Sequence, residues 1–336
     1  MNLKKKRMRL KMKIKILLTV LILSTTPLTD SLAEYGNKDK TATIDSTPTQ
    51  LLRRAVAEGD LATTTKLIEQ GVNINSRGEL GHTPLIYAAE DGQIEIARLL
   101  LDNGARINSQ TDGGYTALSA AADEGSIALV SLLLRAGSDP HIKTRNGMDA
   151  LMIAIRSGEA DVISILMAYN SNINTADRHG RTALMIATMY RNIDVVNMLL
   201  LADAGMNIRD KNGRTALMLA ADQSNTDILK ALLQRGANSS VMNDNGATAL
   251  HFAIQQSGNE AALMLLNHGA KLDIADRDGW TPLMEAVSRG NITLTKLFIQ
   301  RGADVKVRDS EGLDLLNIAE MNHHNELLKY LQLHIK

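Results

Sequence analysis

Eight histidines and fifteen methionines are the side chains whose chemistry this chain could most readily use, and their spacing decides whether it does. The histidines are scattered, with no His-x-x-x-His pair of the kind that turns two imidazoles toward one metal on a helical face. His323 and His324 are neighbours in a predicted terminal turn and read as part of a solvated cap. There is no cysteine, hence no thiol nucleophile and no thiolate ligand. Asp112-Gly113-Gly114 is the most glycine-rich loop candidate, but it lacks the Gly-x-x-x-x-Gly-Lys pattern that cradles phosphate. Met152, Met185, Met218 and Met284 recur at one position, and soft thioethers can hold copper. Packed helices stand ~8–10 Å apart, too far for two such sulfurs to share an ion, so these methionines read as adaptable core filling. Nothing converges on a reacting centre. The chain is predicted to be no enzyme and to use no cofactor and no metal.

Those methionines recur because the whole chain does. Gly81, Gly114, Gly147, Gly180, Gly213, Gly246, Gly279 and Gly312 are each 33 residues apart. Leu85, Leu118, Leu151, Leu184, Leu217, Leu250, Leu283 and Leu316 keep the same step, as do Ala88, Ala121, Ala154, Ala187, Ala220, Ala253, Ala286 and Ala319. One step back from the first copy lie Leu52 and Ala55, a ninth, degenerate copy. A period of ~20–50 residues means stacked repeats, each unable to bury its apolar face alone.

Each position in the copy has a physical reason. Two residues after the glycine stand Thr83, Thr116, Asp149, Thr182, Thr215, Thr248, Thr281 and Asp314, all side chains that cap a helix N-terminus. Proline or alanine follows, either suited to a first helical turn. The leucine and alanine positions mark the buried face of a short helix, where alanine lets neighbours approach closely. A polar turn leads to a second apolar-periodic segment, such as Ile94, Ile96, Leu99 and Leu100. Gly104, Gly137, Gly236, Gly269 and Gly302 end it where a left-handed residue is needed, and Asn170 and Asp203 replace glycine with the types that tolerate that conformation best.

Gly-x-Thr-Pro-Leu-x-x-Ala-Ala, a turn, Ile-x-x-x-x-Leu-Leu, then Gly-Ala-x-x-Asn on this period resembles the ankyrin repeat, from about Asp45 to the C-terminus. The resemblance implies an all-α repeat solenoid, about nine ankyrin repeats of helix-turn-helix plus hairpin loop stacked in a curved array over 48–336, with the first and last repeats as polar caps. The family histidine after the leucine survives only as His251. The turn glycine after the first helix is replaced by Arg191, Ser224, Ser257 and His323, and those turns are expected to be less regular.

The resemblance also implies non-catalytic protein binding through hairpin tips and the exposed side of the first helices. Mapped onto this chain, those positions are acidic in the early repeats, basic with Met and Tyr in the middle, and carry Trp near the end. The candidate partner-binding residues are Tyr115, Met148, Arg156, Arg178, His179, Arg181, Met189, Tyr190, Lys211, Arg214, Trp280 and Arg289. Arg, Tyr and Trp are the commonest energetic anchors of interfaces, so Trp280, the one tryptophan, is expected to be an exposed anchor.

The N-terminus carries Lys4, Lys5, Lys6, Arg7, Arg9, Lys11, Lys13 and Lys15, an apolar run from Ile16 to Leu23, and the small-residue exit Ser31-Leu32-Ala33. This is the order of a secretory signal peptide over 1–33, cleaved after Ala33. The run is short of the ~20 residues that cross a bilayer, so no stable membrane anchor is expected. A basic helix lying on a membrane surface is the competing reading. Residues 34–47 read as a flexible linker. Without the leader, 37 basic and 37 acidic residues become 29 and 36, a net charge of −7, which argues against nucleic acid as a partner. The expectation is a monomeric, exported bacterial protein, periplasmic as an accessory or inhibitor of a partner protein, with a secreted effector of host proteins as the alternative.

Overall fold

The computed structural model describes residues 47–169 and 172–335. The expected leader over 1–33 with its cleavage after Ala33, nearly all of the linker over 34–47, and Asn170 lie outside the described residues. The described chain is a succession of helix pairs: α1 (Pro48–Ala57) and α2 (Leu61–Glu69), α3 (Pro84–Glu90) and α4 (Ile94–Asp102), α5 (Ala117–Asp123) and α6 (Ile127–Arg135). There follow α7 (Ala150–Ser157) and α8 (Ala160–Ala168), α9 (Ala183–Met189) and α10 (Ile193–Leu201), α11 (Ala216–Asp222) and α12 (Thr226–Gln234). The last are α13 (Ala249–Gln255) and α14 (Asn259–Asn267), α15 (Pro282–Ser288) and α16 (Ile292–Gln300), α17 (Leu315–Met321) and α18 (Asn325–His334). Each helix packs on its partner, and each first helix packs on the first helices of the adjoining pairs, which is an all-α solenoid.

The capping residues start the first helices. Asp149 Oδ1 accepts the Met152 N–H at 3.0 Å, and Thr281 Oγ1 accepts that of Met284 at 3.3 Å, each satisfying one of a helix's orphan donors. The recurring leucines from Leu85 to Leu283 and the alanines from Ala88 to Ala319 are buried, as are Leu100, Leu133, Leu166, Leu199, Leu232, Leu265, Phe298 and Leu331 on the second helices. Met152, Met185, Met218 and Met284 lie in the core. Neighbouring first helices, lined with alanine, approach one another more closely than neighbouring second helices do. The last pair departs as a cap should: Leu316 is only half-buried, and Asn317, at the methionine position, faces water.

His251 keeps the family's bridge. Its Nδ1 accepts the Thr248 N–H at 3.1 Å, which fixes the proton on Nε2, and Nε2 donates to the Trp280 carbonyl at 3.1 Å. One buried imidazole thereby ties a helix N-terminus to the next repeat.

The turns without glycine correct the expectation of irregularity. Arg191, Ser224, Ser257 and His323 take φ of 58°, 51°, 57° and 62°, a little below the turn glycines Gly92, Gly125 and Gly290 at 66° to 70° and in the same left-handed region. The closing bonds are also the same: Asn225 N–H to Ala220 O at 2.9 Å matches Gln93 N–H to Ala88 O at 2.8 Å. Packing of the flanking helices fixes the turn, and the side chain is held in the left-handed region against its preference. Asp203 does the same at the end of α10, with φ of 57°.

Two substitutions separate these effects. Ser224→Gly removes the left-handed penalty and is expected to raise stability by about 0.5–1 kcal/mol, after glycine's greater chain entropy is deducted. Gly147→Ala at φ 77° would place a Cβ 2.5 Å from the Arg178 backbone nitrogen in the next repeat, and is expected to cost at least about 2 kcal/mol. Urea midpoints check both, and a lower midpoint for Ser224→Gly would refute the strain argument.

Candidate protein-binding face

From α5 onward the segment ahead of each first helix is a tight loop built from one oxygen-bearing side chain. Thr111, Thr144, Asp177, Asp210, Asn243, Asp276 and Asp309 each accept, on a side-chain oxygen, the backbone N–H four residues on, as Asp177 does from Arg181 at 2.8 Å and Thr144 from Met148 at 3.2 Å. The backbone answers in the opposite sense, the Asp177 N–H donating to the Arg181 carbonyl at 2.9 Å. The tip glycine between them turns left-handed and leaves room for the next tip. These seven side chains recur on the same period as the glycines and were not among the predicted site residues; the run of Thr, Asp and Asn, all able to bond their own backbone, is the signal that marks them.

This loop corrects the placement of two predicted anchors. From Tyr115 to Leu313 the residue after each tip glycine is folded back by its own N–H. Met148 is therefore 8% exposed and Trp280 6% exposed, so neither stands out as an anchor. The Trp280 backbone carbonyl is the acceptor of the His251 bridge.

The predicted arginines fall into two kinds. Arg181 reaches Asp177 at 2.7 Å and Arg214 reaches Asp210 at 3.1 Å, each carboxylate buried at the root of its own tip. Arg156 on α7 bonds Asp123 of the preceding repeat at 2.9 Å, and the Ser157 hydroxyl shares that carboxylate. The Arg156 guanidinium is also 3.5 Å from the Tyr115 hydroxyl, and its pKa is raised although burial opposes the charge. Arg289 pairs with Glu285 at 2.8 Å. Those four hold the repeats in shape.

The second kind stands at the tips. In each tip the residue two before the glycine donates its backbone N–H to the tip before: Arg145 to Gly113 O, Arg178 to Asn146 O and Lys211 to His179 O, all at 2.9 Å. The tips are thus in one register, which reads Asp112, Arg145, Arg178, Lys211, Asp244, Arg277 and Ser310. Asp112 is paired with Arg77 at 2.9 Å and Asp244 with Arg209 at 2.6 Å. Among the described residues no carboxylate pairs with Arg145, Arg178 or Lys211, and all three are exposed. Exposed ion pairs contribute at most about 1 kcal/mol, so the chief effect of the flanking pairs is to cancel charge and leave a bounded cationic ridge.

His179 reports the potential there. Arg178 Nε, which can only donate, is 3.2 Å from His179 Nε2, so the imidazole accepts and is neutral. Partial burial lowers its pKa first, then the charge of Arg181, with Arg178 and Lys211 adding and Asp177 opposing. Close by, at the end of α9, Tyr190 is 40% exposed, while Met189 is half-buried with its sulfur 4.0 Å from Arg181 Nη1. Arg178, His179, Lys211 and Tyr190 are therefore the predicted residues that the structure leaves open on one region of the tips and first-helix ends. Among the described residues there is no group of three or more His, Asp or Glu placed to hold a metal ion.

Stacked helix pairs with a backbone-bonded row of tips define a helical-repeat protein. The family model for ankyrin repeats (3 copies) matches residues 52–144, 120–210, 199–276 and 271–335, and the chain belongs to the ankyrin-repeat family. It is similar to the crystal structure of the human ASB11 ankyrin repeat domain, at 32% identity and a TM-score of 0.57, over 64% of this chain and 96% of that one. No curated protein sequence matches the chain. Ankyrin repeats generally mediate protein–protein binding and are typically non-catalytic.

The first full hairpin carries a different device. His82 Nε2 lies 2.9 Å from Glu90 Oε1, and its ring stacks on Tyr87 with centroids 5.1 Å apart. Burial opposes the charged ring, but the Glu90 bond and charge outweigh it, helped by the Glu79 carbonyl and Asp112, and the pKa is raised. The pair's contribution is therefore complete below pH ~6.5 and is lost as pH rises through the folded-state value. Wild-type protein is expected to lose urea stability above pH ~6.5, and Glu90→Gln to flatten that limb; superimposable pH profiles of the two would exclude the pair as its cause.

Proposed function

We propose that this chain is an exported, non-catalytic binding protein that engages a partner protein through the tips and first-helix ends of its middle repeats. The observation that carries the proposal is the ridge of Arg145, Arg178 and Lys211, exposed and, among the described residues, paired with no carboxylate, with Tyr190 exposed at a first-helix end of the same repeats, in a family whose members generally bind proteins. Arginine and tyrosine anchor interfaces well, because they offer planar contact area and several donors at modest entropic cost.

Export rests on the basic head, short apolar run and Ser31-Leu32-Ala33 exit, and a bacterial periplasm is the compartment we assign. There the chain acts as an accessory or inhibitor protein. A net charge of −7 without the leader disfavours long polyanions and suits a local contact with a protein. No helix among the described residues is long and apolar enough to cross a membrane.

Two measurements test this. Fractionation is expected to place the shortened chain in the periplasm; recovery from the culture medium alone would replace that assignment by the secreted one. Capture from periplasmic extract is expected to yield a partner with wild type and about tenfold less with Arg145→Glu/Arg178→Glu/Tyr190→Ala, since reversed charges repel and an anchor is lost. Lys230→Glu, on the exposed side of α12, serves as the control. Equal capture by the triple variant would remove the binding face from this region.

A further inference from the structure

The ridge has a length and a spacing, and both constrain what can lie on it. It is bounded on each side by a neutralised aspartate, Asp112 with Arg77 and Asp244 with Arg209. Between those pairs lie Arg145, Arg178 and Lys211, in consecutive repeats held in register by direct backbone bonds. Consecutive repeats stack at the spacing of packed helices, ~8–10 Å, so the three charges follow one another at about that interval.

An extended chain meets that interval in only one common form. A β-strand returns a side chain to the same face every second residue, about 6.6 Å, and drifts out of step by the second cation. A polyproline II segment returns every third residue, about 9.3 Å, and stays in step. An α-helix would need carboxylates every seventh residue, about 10.5 Å, and some fifteen residues to reach all three. A helix that short is marginal in water unless an apolar face is buried. At the tips Met148 is turned inward, and Tyr190 is a single exposed anchor rather than the apolar stripe a helix would bury.

We propose that Arg145, Arg178 and Lys211 bind an extended acidic segment of the partner, with carboxylates at every third residue over about seven residues. This rests on the protein-binding reading above and names the chemistry of the segment bound. Arg145 and Arg178 present planar forks that take a carboxylate by two parallel bonds, and Lys211 adds a point charge. Arg181 and Arg214 keep their own aspartates and supply field alone. Burial is the chief cause of the lowered His179 pKa, and an anion on the ridge offsets the share that the neighbouring cations add, so occupancy is linked to proton uptake at that ring.

The test uses the full chain and four probes: a labelled Glu-Pro-Ala-Glu-Pro-Ala-Glu peptide, a peptide of the same composition with its glutamates adjacent, a helical peptide with glutamate every seventh residue, and inorganic polyphosphate. Fluorescence anisotropy at low salt is expected to show the first binding about tenfold tighter than each of the others, because only its charges fall in step with the ridge. Arg178→Glu should weaken that binding about tenfold while Lys230→Glu leaves it unchanged. The His179 imidazole, followed by NMR, should titrate at higher pH in the bound state. Equal affinity for the two heptapeptides, preference for the helical peptide, or tighter binding of polyphosphate would each overturn the proposal, as would an unmoved His179. If the heptapeptide fails while the triple tip variant still loses the captured partner, the segment chemistry is wrong and the binding face stands. If the triple variant captures normally, the face itself is wrong.

Discussion

The structure depends on one close approach, repeated along the chain, between a tip glycine and the backbone of the following tip. At Gly147 the backbone turns left-handed, and the space a Cβ would take is occupied by the Arg178 nitrogen and the Asp177 carbonyl carbon. The same nitrogen donates to the Asn146 carbonyl at 2.9 Å, so glycine is needed for the turn and for the bond that joins repeats. The helices supply most of the buried apolar area, but each pair touches only its neighbours. The tip bonds set how far one pair may slide on the next. An error in tip geometry would therefore alter the register of the charged residues without emptying the core.

Most of the fold was legible because it is written in residues that repeat. A leucine, an alanine and a capping threonine at fixed places have only one economical explanation, and buried Leu85 through Leu283 and the caps at Asp149 and Thr281 agree with it. The non-glycine turns were misjudged for a physical reason. Backbone preference at Ser224 or Ser257 is worth about 1 kcal/mol, whereas the helices on either side are fixed by several fully buried side chains at roughly 1.5–3 kcal/mol each. Local propensity loses that contest wherever the flanking elements are packed.

The candidate face was legible only in part, and the misplacements share a cause. Spacing from the glycine says which residues lie near a tip, but not which way each points. Trp280 and Met148 point inward because the oxygen four residues earlier captures their N–H, and that capture is visible only once Asp276 and Thr144 are recognised as part of the loop. Charge alone was equally ambiguous. Arg181 and Arg178 are three residues apart in one tip, yet the first is bound to a buried carboxylate and the second is not. Sorting the cations requires knowing where the carboxylates are, and Asp177 and Asp210 are consumed in holding their own tips.

That sorting explains how a chain with a net charge of −7 after loss of its leader can still present a cationic site. Screening limits each charge to a reach of ~8–10 Å in physiological salt, so acidic residues elsewhere on the array contribute little at the tips. What matters is the local tally, and there Asp112 and Asp244 are cancelled by arginines from the adjoining repeats. Were Arg77 and Arg209 absent, those two carboxylates would stand one repeat spacing, ~8–10 Å, from Arg145 and Lys211 and drain the potential at both ends. The two pairs are weak as stabilising contacts, and their stronger effect is on selectivity. They fix the ridge at three repeats, long enough for a short acidic segment and too short to hold a long polyanion.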